Sequence, residues 1–322
     1  MDNLKINKKL INRNSNNNIF ISIFLMYVYD LDLKEKNNIG RPIKYNNNLL
    51  FYNTIIKFIE SGSTWKTLNN ECSYSTYYRK FIYWTENNVF INVYKIFINF
   101  LKNNHILTYK DLNNTYIDTS NIRNKQGIDL KSKNYADKNK KGTKISFIVS
   151  QTGIPLAIEC FSCNIHDVKT VEKTINSSVI PLKNIKLGGD KGYISKELEN
   201  ELKNKYKIKY IIQQRNKRRT KDEIINDKKN KNINKKFIFQ NNNKFMKKRI
   251  IVENTFSWIK NNKRIQLRYD KYCKNYKSFL YLACIKLVSN RFNLKYFNKN
   301  NIKYPIITLK TFRIYKNKII NK

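Results

Sequence analysis

The sequence is poor in cysteine, in acidic residues and in long apolar runs, and each shortage excludes a class of protein. Five cysteines in 322 residues are too few for the disulfide framework of a small secreted domain. Only Cys160 and Cys163 form a close pair, followed by His166, and no second pair completes a four-ligand zinc site. A zinc site and the end of a buried strand both remain open for this segment. We favour the strand, in an intracellular, reducing setting.

The longest uncharged apolar run is too short to cross a membrane. It extends from Ile19 to Tyr29, 11 residues, whereas a spanning helix needs about 20. A basic segment precedes it, as in a signal peptide, but the chain continues into Asp30-Leu31-Asp32 without a small-residue cleavage site. We therefore expect a packed helix or a loosely attached N-terminal extension, and no membrane partner.

The third shortage, of acidic residues, leaves a large positive charge. Against 23 Asp and Glu stand 64 Lys and Arg, a formal net charge of +41. Such a charge favours a polyanionic partner, first of all nucleic acid, although an AT-rich genome rich in Asn, Lys and Ile codons accounts for part of it. Hydrophobic residues at 41% are sufficient for a folded core.

The N-terminal part of the chain has helical periodicity. One predicted helix ends at Ser61-Gly62-Ser63, a short helix follows at Trp65, and a third begins after Cys72. This third helix carries Arg79 and Lys80, which are able to reach the phosphates or base edges of DNA. Helix, short helix, turn and helix is the pattern of a helix-turn-helix module, and the alternative is an ordinary small helical bundle.

Strand periodicity begins near residue 113. Five strands are predicted, the second and third joined as a hairpin, at Thr115–Thr119, Thr143–Ser150, Ile154–Cys160, Ile185–Gly188 and Ile208–Gln213. Predicted helices lie at Val168–Val179, Ser195–Tyr206, 247–261 and 275–293. Strands that alternate with helices after a hairpin predict an α/β fold with a mixed five-stranded sheet. The basic, Asn-rich stretch 214–246 is interpreted as an insertion or linker.

Three carboxylates stand out by their positions. Asp118 ends the first predicted strand, and Asp190 follows the fourth after two glycines. Both can project from one edge of the sheet. Glu253 lies on a predicted helix and shares a face with Arg249 and Lys260, at i−4 and i+7.

Converging carboxylates repel one another, and a divalent metal ion relieves that repulsion. Mg²⁺ prefers oxygen ligands, and two such ions about 3.5–4 Å apart can activate the attacking oxygen and stabilise the leaving oxygen of a phosphodiester. Taken singly, each acid could instead be a cap, a turn residue or part of a surface ion pair. Their strand-end placement favours metal-assisted phosphoryl transfer on nucleic acid.

Several sequence blocks share one order with a known family. They are Gly40-Arg41-Pro42, Tyr78 to Trp84, Asp118 to Arg123, Lys141 to Ile145, Gly153 to Leu156, His166-Asp167 and Gly189 to Tyr193. In this order the chain resembles the DDE transposases of the bacterial insertion-sequence-five group, within the insertion-sequence four/five superfamily. The resemblance covers nearly all of residues 40–293.

The most specific block is the superfamily signature of Tyr, two residues, Arg, three residues, Glu, six residues and Lys. Arg249, Glu253 and Lys260 match it, whereas the Tyr position holds Met246. In the family that Tyr helps to handle the transferred strand end. The resemblance implies that Arg249 and Lys260 contact DNA phosphates near the scissile bond. It extends to Arg264, which is predicted as a further DNA contact.

The resemblance also implies a ribonuclease-H-like catalytic domain, preceded by a small all-α, helix-turn-helix-like domain. Asp118, Asp190 and Glu253 would hold two Mg²⁺ or Mn²⁺ ions. Water would cut double-stranded DNA at the terminal inverted repeats of a mobile element, and the freed 3′-hydroxyl would attack target DNA. A homodimer is expected in the DNA complex. The alternatives are a transposase-derived DNA-binding protein without catalysis and a nuclease of the same fold.

The expected domain organisation follows from these assignments. It comprises an Asn-rich extension at 1–38, a helical DNA-binding domain at 39–104, a catalytic domain at 112–295 and a basic tail at 296–322. His166 is interpreted as structural or DNA-positioning, since two-metal hydrolysis needs no general base. The protein is expected to be intracellular, and cytoplasmic in a bacterial host.

Overall fold

The computed structural model describes residues 19–34, 47–68, 72–212, 242–292 and 307–320. Gly40-Arg41-Pro42 and residues 214–241 of the predicted insertion lie outside the described residues. The chain divides into two compact units. The first unit comprises Met1–Thr108, Asn121–Thr143 and Ser257–Lys322, and the second comprises Tyr109–Ser120 and Lys144–Phe256.

Among the described residues, five α-helices come first, four strands follow, and helices and strands are mixed in the rest. The described α-helices are α1 (Ile19–Lys34), α2 (Asn48–Ser61), α3 (Tyr74–Glu86), α4 (Val89–Asn103), α5 (Tyr109–Asn113), α6 (Val171–Asn176), α7 (Lys196–Tyr206), α8 (Ile250–Lys260), α9 (Lys263–Gln266), α10 (Cys273–Arg291) and α11 (Leu309–Ile320). The strands are β1 (Asn114–Asn124), β2 (Ser132–Asn134), β3 (Lys140–Ser150), β4 (Pro155–Ser162), β5 (Lys186–Gly189), β6 (Lys209–Ile212) and β7 (Leu267–Arg268). No helix of the described segments combines the length and the apolar character needed to cross a membrane.

The first unit is mainly helical. Helix α2 begins where the Asn47 side chain accepts a hydrogen bond from Leu50 N, 3.0 Å, and it ends at Gly62 with φ 67°. That left-handed φ favours glycine. Helix α10 is buried on most sides, and its Phe279 stacks on Phe81 of α3, with ring centroids 4.4 Å apart. The predicted succession of helix, short helix and helix is present, with the short one a 3₁₀ turn at Trp65–Thr67.

The N-terminal apolar run and the C-terminal segment both form helices in this unit. Ile19 to Tyr29 lies within α1, so the packed-helix alternative is the one observed. Asp30 at its C-terminal part is buried and pairs with Arg313 at 3.0 Å and Lys316 at 3.1 Å, both on α11. Ion pairs therefore hold α1 and α11 together.

The predicted α/β class with a mixed sheet is confirmed, but the number of strands is wrong. The sheet has seven strands among the described residues, in the order β2-β3-β1-β5-β6, with β4 also pairing with β3 and β7 with β1. All five predicted strands are present. The two additional strands, β2 and β7, have three and two residues. Such short segments carry no alternation for sequence reasoning to detect.

Two further predictions need correction. Strand β1 does not end at Asp118 but continues to Asn124, because its last residues Arg123 and Asn124 pair with β7 in the first unit. The helix predicted from Val168 is also shorter, a 3₁₀ turn followed by α6, which ends at Asn176. It ends there because Val179 N donates to Leu156 O, 2.8 Å, and joins the chain to the edge of β4.

Candidate active site

Strand register places two of the predicted carboxylates side by side in the second unit. Strands β1 and β5 are parallel, and Tyr116 lies opposite Gly188. Asp118 and Asp190 each follow two residues later, so they lie side by side just beyond the last paired residues of β1 and β5. Carboxyl ends of adjacent parallel strands are the usual place for functional side chains in an α/β sheet.

The two glycines before Asp190, Gly188 and Gly189, allow neighbouring side chains to pack closely against the backbone of β5. We expected them to allow a tight exit from the sheet, but both lie within β5. A Cβ on Gly188 would lie 2.9 Å from the ring of Tyr116, and one on Gly189 would lie 3.2 Å from Cβ of Tyr193. Glycine is therefore required here because two aromatic rings approach the backbone.

Asp190 is held by the turn that follows it. Its Oδ1 accepts a hydrogen bond from Gly192 N, 2.8 Å, and thereby caps the 3₁₀ turn Lys191–Tyr193. The buried Tyr193 ring anchors this turn beneath the site. The carboxylate thus has a defined direction, while Asp190 remains partly exposed.

The third carboxylate is supplied by α8. Phe256 of this helix stacks on Phe147 of β3 at 4.8 Å, with an angle of 14° between the rings. Val252 and Phe256 are buried, whereas Glu253 lies beside this buried face and is exposed. Glu253 also lies in the first turn, where the helix dipole favours a negative charge.

Arg249, just before α8, connects the first and third carboxylates. Its Nη2 donates to Glu253 Oε1 at 2.6 Å, and its Nη1 lies 3.5 Å from Asp118 Oδ2. A single guanidinium therefore acts as counter-charge to acids from β1 and α8.

The three acids influence one another electrostatically. The pKa of Asp118 is raised to about 6, chiefly by burial and to a smaller extent by the charges of Asp190 and Glu253. The hydrogen bond from Thr119 N and the charge of Arg249 act in the opposite direction. A positive charge placed next to such a carboxyl stabilises its ionised form.

Sequence reasoning missed two residues of this site, Asp167 and Lys144. Asp167 Oδ1 accepts hydrogen bonds from Thr119 Oγ1 at 2.9 Å and from Lys144 Nζ at 2.6 Å. The available signal was the His166-Asp167 pair, of which we weighed only the histidine. His166 is exposed, and its backbone caps the 3₁₀ turn that begins at Asp167.

The predicted DNA-contacting residues lie in different environments. Arg249 lies at the site, Lys260 is partly exposed at the end of α8, and Arg79 is exposed on α3. Lys80 lies 3.6 Å from Asp32 and above the ring of Trp84.

Arg264 is buried in the first unit. It donates to Asp270 Oδ1 at 3.2 Å, and its guanidinium lies 4.9 Å from the ring centroid of Phe58. An arginine enclosed in this way stabilises the fold and does not reach a phosphate, so we do not carry Arg264 into the proposed DNA contacts.

The residues present suit a divalent ion in their chemistry, although they do not enclose one. Within the described ranges, no three His, Cys, Asp or Glu residues are arranged closely enough to hold a metal ion. Of the three carboxylates, Asp190 and Glu253 nevertheless lie close enough to Asp118 for their charges to add to the burial that raises its pKa, and carboxylate oxygens are the ligands that Mg²⁺ and Mn²⁺ prefer. Arg249 takes the position of counter-charge between two of them.

The cysteine pair has a structural environment. Cys160 is buried in β4, and Cys163 is a free thiol whose pKa burial raises to about 11. These features agree with the strand interpretation of this segment.

Comparison with known proteins gives one match. The family described as Transposase DDE domain matches residues 112–286, more than half of the chain. The matched range contains Asp118, Asp190, Arg249, Glu253 and Lys260, and it excludes α1 to α4. No curated protein and no solved structure matched the chain significantly.

Proposed function

Because the chain belongs to the transposase DDE domain family, we propose that it cuts DNA at the terminal inverted repeats of a mobile element and joins the freed ends to target DNA. The more specific assignment to the insertion-sequence-five group is part of this proposal. It is supported by the spacing of Arg249, Glu253 and Lys260 and by the order of the preceding blocks.

One observation carries the proposal. Asp118 on β1, Asp190 directly after β5 and Glu253 on α8 belong to a single compact unit, and the charges of Asp190 and Glu253 act on Asp118. Nothing in local folding requires three acids there. Their mutual repulsion has a cost in stability that a catalytic site explains.

DDE transposases generally use divalent metal ions, and in this chain Asp118, Asp190 and Glu253 would hold them. Two Mg²⁺ or Mn²⁺ ions, when bound, would activate the attacking oxygen and stabilise the leaving oxygen of the phosphodiester. The protein itself orients these acids: Thr119 N holds Asp118, Gly192 N holds Asp190, and the Phe256–Phe147 stack holds the helix of Glu253.

DNA binding is assigned to basic side chains and to the N-terminal helices. Arg249 and Lys260 are proposed to contact phosphates close to the scissile bond, and Arg79 on α3 is proposed to contact the DNA of the repeat. The exposure of Arg79 supports this role. Two repeats must be brought together for transposition, so a homodimer is proposed in the DNA complex.

The test is a cleavage assay on labelled double-stranded DNA that carries the ends flanking the gene. Wild type is compared with Asp118→Ala, Asp190→Ala and Glu253→Gln, each with Mg²⁺ and with Mn²⁺. The wild type should cut at the ends only with a divalent ion, and each variant should bind the ends without cutting.

The other outcomes separate the alternative functions. Binding without cutting by the wild type would indicate a transposase-derived DNA-binding protein, an outcome compatible with Met246 in place of the signature Tyr. Cutting without regard to the ends would indicate a nuclease. A variant that cuts like the wild type would remove its residue from the proposed site.

A further inference from the structure

Asp167 lies against the residue that follows Asp118 and against the turn that follows Asp190. On one side it accepts a hydrogen bond from Thr119 Oγ1, 2.9 Å, while the backbone N of Thr119 donates to Asp118 Oδ1, 2.8 Å. Thr119 therefore links the two carboxylates: its hydroxyl donates to Asp167 and its backbone amide donates to Asp118.

On its other side Asp167 faces the turn that holds Asp190. The 3₁₀ turns at Asp167–Thr170 and Lys191–Tyr193 pack against each other. A Cβ built on Gly192 would lie 3.8 Å from Asp167 Oδ2 and 3.0 Å from Asp190 Oδ1. The same carboxylate thus lies against both segments that present the predicted catalytic aspartates.

Lys144 fixes the position of Asp167. Its side chain is 8% exposed, and its Nζ donates to Asp167 Oδ1 and to the backbone oxygen of Ile165, two residues earlier. A buried ammonium with two such acceptors has little freedom to move. Lys144 belongs to β3, the strand beside β1, so the ion pair ties the Asp167 segment to the centre of the sheet.

We infer that Asp167, held by Lys144, is a positioning residue that sets the direction of Asp118 through Thr119 and supports the turn of Asp190. This inference rests on the proposed function, since it assigns the support on which the ion-binding acids depend. Outer groups that orient metal-binding side chains commonly change metal affinity about 10- to 100-fold when they are removed.

The test measures the affinity of the full-length protein for Mn²⁺ in the absence of DNA. The protein is titrated with Mn²⁺, and free Mn²⁺ is detected by electron paramagnetic resonance. The decisive pair is Thr119→Val, which removes only the hydroxyl link, and Thr119→Ser, which keeps it. Asp167→Asn removes the acceptor charge. Glu172→Gln is the matched control, because Glu172 is also a carboxylate of this unit paired with a lysine, Lys205, but at the exposed surface.

Thr119→Val and Asp167→Asn should weaken Mn²⁺ binding about 10-fold or more, with the thermal unfolding temperature of Thr119→Val close to that of the wild type. Thr119→Ser and Glu172→Gln should bind Mn²⁺ as the wild type does. The rescue by serine distinguishes positioning from a general loss of stability. The valine and serine variants keep this test informative even where Asp167→Asn folds poorly.

Two results would overturn the inference. Wild-type Mn²⁺ affinity in Thr119→Val would show that the hydroxyl link does not set Asp118. Loss of affinity in Asp167→Asn alone would instead give Asp167 a direct role toward the ion. If the wild type binds Mn²⁺ and cuts DNA, either result overturns only this inference and leaves the proposed function standing. If the wild type neither binds Mn²⁺ nor cuts DNA, the proposed function and this inference are both overturned.

Discussion

Arg249 Nη1 lies 3.5 Å from Asp118 Oδ2, although 131 positions separate the two residues in the chain. The same guanidinium donates to Glu253 at 2.6 Å. Arg249 and Asp118 are each about one-fifth exposed, so their interaction is only partly screened by water. An arginine thus supplies positive charge at a site where the family uses divalent ions.

We expect Arg249→Gln to bind Mn²⁺ about five-fold more tightly than the wild type in the absence of DNA, because a competing positive charge is removed. The ion-free variant should also unfold at a lower temperature, and Mn²⁺ should restore more stability to it than to the wild type. Mn²⁺ titration and thermal unfolding measure these effects.

The matched control for Arg249 is its exposed neighbour Lys248. Lys248→Gln removes the same formal charge and should leave Mn²⁺ affinity near that of the wild type. Equal affinities of Arg249→Gln and the wild type would contradict the counter-charge role of Arg249.

A pH effect follows from the raised pKa of Asp118. With a folded-state pKa of about 6, above the ordinary 3.8, the folded protein binds a proton more tightly than the unfolded chain between these values. The ion-free protein should therefore gain about 1 kcal/mol from this group between about pH 7.5 and about pH 5. Asp118→Asn should lack this gain in chemical denaturation at the two pH values.

Other acids also change the stability of the protein with pH, so the effect of Asp118 is measured as the difference between the wild type and Asp118→Asn. Asp137 and Glu172 have lowered pKa values because they pair with Arg123 and Lys205, so they act in the opposite direction as the pH falls. Both are unchanged in Asp118→Asn. An identical pH dependence of the two proteins would show that Asp118 does not titrate with a raised pKa.

Arg268 should be among the most important charged residues for stability. It is fully buried and donates to the Asp129 side chain, to Thr143 Oγ1 at 3.0 Å and to backbone oxygens of residues 129, 270 and 271. Arg268→Met should lower the free energy of unfolding by about 3 kcal/mol or more, because these acceptors lose their donor.

Chemical denaturation at neutral pH measures this effect. The control is Arg123→Met, since the Arg123–Asp137 pair lies at the surface and should contribute little. Similar stability losses in both variants would argue against the buried role of Arg268.

DNA binding should depend steeply on salt. With a formal charge of +41, several phosphate contacts are expected, and affinity should fall about a thousand-fold or more between about 50 and about 200 mM salt. Fluorescence anisotropy with labelled inverted-repeat DNA, at several salt concentrations and without divalent ions, gives the slope. A nearly flat dependence would contradict binding through phosphates.

Much of the architecture was predictable from local sequence patterns. The five main strands, α2, α7, α8 and α10 all follow from the spacing of apolar residues, because burial of one face imposes a period on the chain. The C-terminal end of α2 also follows from the predicted stop at Ser61-Gly62-Ser63, whereas the Asn47 cap was seen only in the structure. Short strands such as β2 and β7 carry no such period and were missed.

The order of the predicted strands allowed the placement of Asp118 near Asp190 to be anticipated, although Asp118 lies within β1 and does not end it. From the sequence, however, Arg264 was predicted to contact DNA, whereas in the structure it is buried beside Asp270 and Phe58. Burial of an arginine depends on distant segments that enclose it, and no local pattern reports this.

The sequence by itself determined the main helices and strands and which side of α8 is buried, because these properties depend on neighbours a few residues away. Tertiary structure alone decided that Arg249 lies beside Asp118 and that Asp167 connects Thr119 to Lys144. Those contacts join residues far apart in the chain, and they exist only once strand register and helix packing have set the distances between them.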